Sequence, residues 1–280
     1  MRLRTALAVG ILGFAAWSVL RAQKPFKEWP AIEYSDFPLP DDYQVKHEWT
    51  RARLRYSDIT GYPGRSYYGP NFAGFWTMDF PRSDRHLLAG VRRLTRIDSR
   101  SVEQVVSLDG SDDVYNWPVL YGVEVGHWNL TDEEAAQLRD YLLRGGFFMV
   151  DDFHGTAPYR GVPEWDTFTH SMSKVFPERP IEDIPDDDQI FHTLYDLQER
   201  FQVPGAIYFE SGLTYEAGET GKVPHWRCIR DEKGRIMVAI CHNMDLGDAW
   251  EHSDEPRYLE KWASLAYRIA MNYFVYDLSH

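Results

Sequence analysis

The spacing of apolar and polar positions is clearest between Thr131 and Asp152, TDEEAAQLRDYLLRGGFFMVDD. Ala135, Leu138, Tyr141 and Leu142 recur at helical intervals, while Asp132, Glu133, Arg139 and Asp140 fall mostly on the opposite side. Thr131 with Glu134 three residues on is a capping-box pair, because hydroxyl and carboxylate can each accept from the other's free amide. Gly145-Gly146 supplies a left-handed stop. Phe147-Phe148-Met149-Val150 then runs without a polar position, the pattern of a strand buried on both faces of a parallel sheet. Asp151 and Asp152 follow where that strand leaves the sheet, and open α/β sheets bind ligands outside the carboxyl ends of their strands.

Elsewhere the same reading predicts further elements. Alternation of Thr50, Ala52, Leu54 and Tyr56 against Trp49, Arg51, Arg53 and Arg55 gives a strand over 48–56, with its arginine face solvated or salt-bridged. Leu87, Leu88, Val91 and Leu94 mark a helix after Pro81, with Ser83 as its cap. Strands are expected over 102–108 and 117–123, and a helix over 165–176 that stops before Pro177. Residues 224–241 read as a hairpin turning at 231–234, which sets Cys228 opposite Met237 and Cys241 opposite His225. A last helix is expected from about Pro256 onward, carrying Leu259, Trp262, Ala266, Ile269 and Tyr273. The pattern as a whole predicts a three-layer α/β sandwich with a mainly parallel sheet and a β-hairpin in the C-terminal half.

Composition narrows the function. A chain of 280 residues with 44% hydrophobic and 15% aromatic residues can bury one large core. Its formal net charge of −13 argues against nucleic acid and against an anionic membrane surface as partners. Arg2 and Arg4 ahead of the apolar run Thr5 to Leu20 have the layout of a secretory signal. Cleavage after Ala22 would leave Leu20 at the −3 position, so an uncleaved N-terminal anchor is the alternative. The expected organisation is a signal peptide or anchor over 1–22, a proline- and aromatic-rich arm over 23–46, and one α/β domain over 47–280. The protein is expected to be exported, periplasmic or extracellular. The two cysteines cannot meet at the hairpin offset described above, so no disulfide is expected.

Several motifs reduce to ordinary structure. Asp109-Gly110-Ser111-Asp112-Asp113 resembles a calcium loop, but its sixth position is Val114 and its twelfth Leu120, where glycine and glutamate are required. Ser171-Met172-Ser173-Lys174 has the Ser-x-x-Lys spacing without the companion motifs. Gly61, Gly64, Gly69 and Gly74, set among aromatic residues, make a long loop that is either a ligand-site segment or a cover packed by its own rings. The densest polar cluster follows the second hairpin strand, at Cys241-His242-Asn243-Met244-Asp245-Leu246-Gly247-Asp248-Ala249-Trp250.

These segments resemble a known family, domain of unknown function family 4159, whose fold is similar to that of class I glutamine amidotransferases (flavodoxin-like). The resemblance spans about Arg51 to His280. It is carried by Arg93-Leu94-Thr95, the Tyr115-Asn116-Trp117-Pro118-Val119-Leu120-Tyr121 strand, Leu142-Leu143-Arg144-Gly145-Gly146-Phe147, Asp151-Asp152-Phe153 and the His242 to Trp250 cluster. It implies that the nucleophilic cysteine of an amidotransferase falls at Asp151 or Asp152, and that the His-Pro-Glu falls at His242-Asn243-Met244. Histidine is kept; thiolate and glutamate are not. Two readings follow. In one, a catalytically silent domain binds a small molecule, a glycan or an envelope protein through the former active-site cleft, with Asp151, Asp152, His154, His242, Asn243, Asp245, Asp248 and Trp250 as candidate ligand-binding residues and no cofactor. In the other, Asp152, His154 and His242 hold a divalent metal, and with Asp151 make a hydrolase. The first reading leans away from enzymatic activity, and a purely structural use of the strand-end acids stands beside both.

Overall fold

The computed structural model describes residues 24–30, 37–59, 72–158 and 160–280. The N-terminal segment 1–22 and most of the glycine-aromatic loop lie outside the described residues. The described part of the chain is α/β, with seven strands in one mostly parallel sheet and six α-helices. The strands are β1 (Arg51–Arg55), β2 (Gln104–Ser107), β3 (Val119–Val123), β4 (Phe147–Asp151), β5 (Glu182–Asp183), β6 (His225–Arg230) and β7 (Ile236–His242). The helices are α1 (Arg82–Leu94), α2 (Asp132–Leu143), α3 (Glu164–Val175), α4 (Ile207–Ser211), α5 (Leu246–Glu251) and α6 (Glu260–Ser279).

Spatial order is β2-β1-β3-β4-β7-β6-β5, parallel from β2 through β7, with β6 and β5 joining by antiparallel pairing. The apolar run therefore forms the middle strand, fully buried on both sides. Phe147 and Met149 face one core with Leu87, Leu88 and Val91 of α1 and with Trp262, Ile269 and Tyr273 of α6. Phe148 and Val150 face the other, with Ala135, Leu138 and Leu142 of α2 and with Phe168, Met172 and Val175 of α3. Thr131 and Glu134 form the complete capping box. Gly145 takes a φ of 110°, which a side chain would strain.

Three expectations are corrected. Pro81, not Ser83, precedes α1, and Ser83 is buried inside its first turn. The arginine face of β1 is salt-bridged where it is buried, since Arg51 and Arg53 both grip Asp84 of α1, at 2.5 and 2.6 Å, while Arg55 is exposed. The hairpin register is Cys228 opposite Ala239 and Trp226 opposite Cys241, because an irregularity at Ile229 and Arg230 shifts the pairing. Both thiols are free and buried. The last helix begins at Glu260, after a run of turns from His252.

Candidate functional site

Parallel pairing sends the carboxyl ends of β3, β4 and β7 to one edge. The segments leaving β4 and β7 are then laced together. The Asp152 amide donates to the Met244 carbonyl at 3.0 Å, and the Asn243 amide to the Phe153 carbonyl at 3.1 Å. The Gly155 amide donates to Asn243 Oδ1 at 2.7 Å, and Asn243 Nδ2 donates to the carbonyls of Thr220 and Val223. Asp152 and Asn243 sit in the left-handed region, with φ of 54° and 64°, which their short polar side chains tolerate better than most.

Asp151 is wholly buried, and its Oδ2 accepts from the amides of Leu246 and Gly247 at 2.7 and 3.1 Å. It fastens the start of α5 to the end of β4. Burial raises its carboxyl to about 6 even though these bonds favour the anion.

His242 is also held on both sides. A carbonyl can only accept and a guanidinium only donate, so Nε2–H donates to the Gly155 carbonyl at 3.2 Å while Nδ1 accepts from Arg227 Nη1 at 3.3 Å. Its ring packs against Trp165 at 4.5 Å and Phe153 at 5.0 Å. Burial, together with the charges of Arg227, His154 and His225, drives its pKa down to about 3, so it stays neutral. Cys241 points to the opposite core, where Sγ lies 3.9 Å from the Tyr273 hydroxyl. Burial raises that thiol well above its usual range and lifts Cys228 to about 12.

The acids gather instead around α5. Asp79, Asp245 and Asp248 are buried, with one oxygen from each lying within 4.8 Å of the others. Asp245 caps α5 by accepting from the Asp248 amide at 2.6 Å, and Asp248 accepts from the Ala206 amide while facing His252 Nε2 at 3.5 Å. Burial raises Asp245, and the neighbouring Asp152, Asp248 and Asp79 raise it further. Burial likewise opposes ionisation of Asp248, but hydrogen bonds from His252 and Asp245 outweigh it and lower that group to about 2. The pair therefore holds an unequal share of protons. Asp152 is raised well above its ordinary value by burial and by Glu124, Asp79, Asp248 and Asp151. Its Oδ1 meets His154 Nε2 at 3.1 Å. Behind it the His154 amide donates to Glu164 Oε2 at 2.7 Å, and burial beside Glu124 lifts Glu164 to about 8. Burial of His127 works against its charge, yet Glu124 at 3.0 Å and then Glu164 raise its pKa.

The structure thus brings the backbones carrying Asp151, Asp152, His154, His242, Asn243, Asp245 and Asp248 together but divides their side chains. Asp152 and His154 touch, Asp245 and Asp248 join Asp79, and His242 lies among rings with neither nitrogen open to a metal. Trp250 is fully buried, its ring 5.7 Å from that of Tyr121 and 5.2 Å from the Arg51 guanidinium. Asp79, Glu124, His127, Glu164 and His252 are members of this centre that the sequence reading missed. Glu124 was within reach, since it follows β3 as Asp152 follows β4, and the strand-end rule applies to both. Asp79 was not, because it arrives from a turn ahead of α1.

These features define an α/β domain with an acidic centre at the carboxyl edge of a mostly parallel sheet and both thiols shut away from it. Residues 52–278 match the family described as Domain of unknown function (DUF4159), and the chain belongs to that family. No curated protein matches the sequence significantly.

Proposed function

We propose that the protein is an exported, catalytically silent amidotransferase-like domain that binds a ligand or an envelope partner at the carboxyl edge of its sheet. The observation that carries this reading is the fate of the nucleophile position: β4 ends in Asp151, which is occupied as a cap for α5. Neither buried thiol can take its place beside His242. The parallel strand order β2-β1-β3-β4-β7 supports the fold assignment, since it follows the 2-1-3-4-5 doubly wound order. The basic and apolar N-terminal run supports export. Among the described residues, no helix is long and apolar enough to cross a membrane.

Carboxylates accept hydrogen bonds, so the ligand is one that donates them: an amine-bearing small molecule, a glycan, or a basic patch on an envelope protein. A hydrolase reading draws on the contact between Asp152 and His154, but His242 brings it no ligand atom. The test is a glutamine-hydrolysis assay beside a thermal-shift screen of amines and glycan fragments on the purified protein. Stabilisation that is lost in Asp152→Asn, with no ammonia release, is the expected result. Glutamine turnover abolished by thiol alkylation would overturn the reading, and so would a screen in which nothing stabilises the protein.

A further inference from the structure

We infer that the N-terminal apolar run is retained as a membrane anchor and that the amino edge of the sheet, opposite the acidic centre, rests on the lipid surface. The inference builds on the reading of the protein as exported and adds an orientation to it.

The first observation is an apolar surface at that edge. Among the described residues, Leu94, Tyr115, Leu143, Leu194 and Leu278 are 37–53% exposed. Leu94, Leu143 and Leu278 stand at the ends of α1, α2 and α6. The Leu194 amide donates to Asn272 of α6 at 3.2 Å, and the Tyr115 hydroxyl donates to Asp140 of α2 at 2.8 Å. Leu94, Tyr115, Leu194 and Leu278 line one groove of about 1140 Å³ with Trp49 and Pro118, the residues that lead into β1 and β3. An exposed apolar surface of this kind marks a contact with protein or with lipid.

The second observation chooses lipid. Lys24 Nζ pairs with Asp113 at 3.0 Å, two residues ahead of Tyr115 in the groove. The arm beyond it is fastened as well: Trp29 meets Trp76 edge to face at 5.9 Å, with the Arg55 guanidinium over its ring at 5.0 Å. Lys24 follows Leu20, the end of the apolar run, by four residues. Four residues reach at most about 14 Å, so a bilayer that takes up the run lies within that distance of the Lys24 backbone. Leu20 at the −3 position of the cleavage site favours keeping the run.

Charge selects the kind of surface. Arg93 and Arg96 share the groove with Glu48 and Asp98, so its charges balance. With the whole chain at −13, the contact is apolar insertion into a zwitterionic surface, not attraction to an anionic one. The carboxyl edge then faces away from the membrane, open to a soluble ligand.

Both native thiols are buried, so a cysteine introduced at the surface is the one that takes a dye. Leu94→Cys, Leu194→Cys and Leu278→Cys in the full-length chain are labelled with an environment-sensitive nitrobenzoxadiazole dye. They are reconstituted in phosphatidylcholine vesicles with and without nitroxide-labelled lipid. Val223→Cys, exposed beside Asn243 at the other edge, is the comparison. The amino-edge dyes are expected to shift to the blue and lose roughly half or more of their emission to the nitroxide lipid, while the dye at position 223 loses little. Equal quenching at both edges, or none at the amino edge, would overturn the orientation. A blue shift that grows with protein concentration and is insensitive to nitroxide lipid would also overturn it, by giving the groove to a second copy. Mass spectrometry of the protein from cell fractions is expected to find residues 1–22 present in the membrane fraction. An envelope protein lacking them would overturn the anchor while leaving export in place. A cytoplasmic protein that keeps them would sink the export reading, and the anchor with it.

Discussion

The amide of Gly155 donates a 2.7 Å hydrogen bond to Oδ1 of Asn243, 88 residues further along the chain. Through this bond and its Nδ2 contacts, Asn243 joins the segment after β4 to residues 220–223. Asn243→Ala would leave one amide and two carbonyls without their partner and would put a Cβ-bearing residue without a compensating side chain at a φ of 64°. The expected loss is about 2–4 kcal/mol in urea unfolding. Asn243→Gly should recover the backbone part only, so a glycine variant less stable than the alanine one would contradict this account.

Phe148 is fully buried in the middle strand, with its ring stacked on that of Trp128 at 6.0 Å. Phe148→Ala should cost about 3–5 kcal/mol. Phe148→Asp should prevent folding, because an unpaired charge there costs several kcal/mol, comparable to the roughly 5–15 kcal/mol that stabilises a domain. Circular dichroism of the purified variants decides the matter, and a folded Asp variant would remove Phe148 from the core.

Asp84 neutralises Arg51 and Arg53 where all three side chains are buried. Burial disfavours its charge, but Arg53 and then Arg51 outweigh burial and hold the carboxyl below its usual value. Asp84→Asn leaves two guanidinium groups without a counter-charge and should cost about 3–5 kcal/mol in denaturant melts. Because the folded pKa is depressed, this stabilisation is present above pH about 4 and is lost as pH falls through the folded value.

Glu164 titrates with the opposite sign. With a folded pKa of about 8 it binds its proton more tightly folded than unfolded. Its contribution is therefore full below the ordinary glutamate pKa of about 4.3 and is lost as pH rises toward 8. Melting temperature should decline over that interval and decline less in Glu164→Gln, which keeps an acceptor for the His154 amide. A Gln variant with an unchanged slope would show that other groups set the dependence.

Both thiols are sealed, Cys228 at about 12 and Cys241 raised by its burial against Tyr273. A chromogenic disulfide reagent should find no reactive thiol in the native protein at pH 8 and two after denaturation. Rapid reaction of one native thiol would place a nucleophile where none is expected.

What could be read from sequence was what is decided locally. The capping box at Thr131 and Glu134, the Gly145 stop and the apolar run of β4 each depend on neighbours a few residues away, and they specify the central helix and strand. Arg51 and Arg53 show the limit: their alternation leaves solvated and salt-bridged equally open, and the choice falls to Asp84, which α1 brings from elsewhere in the chain. The site divides the same way. Asp151 and the cluster from His242 to Asp248 follow from strand ends, whereas Asp79 enters through packing and its role follows from distances that no spacing in the chain encodes. His242 was visible as a residue but not as a neutral ring locked between Gly155 and Arg227, because both partners arrive from other segments.

The sheet ends in β5, a strand of only two residues whose acids lean back onto β6: Glu182 pairs with Arg230 at 2.7 Å and Asp183 with Arg227 at 3.0 Å. A second molecule approaching this border to add a strand would find too few main-chain groups to bond and two carboxylates in its way. The border thus works as a guard against fibre growth. Removing residues 182–183 would bare the longer β6 and turn a self-contained sheet into a template for its own copies.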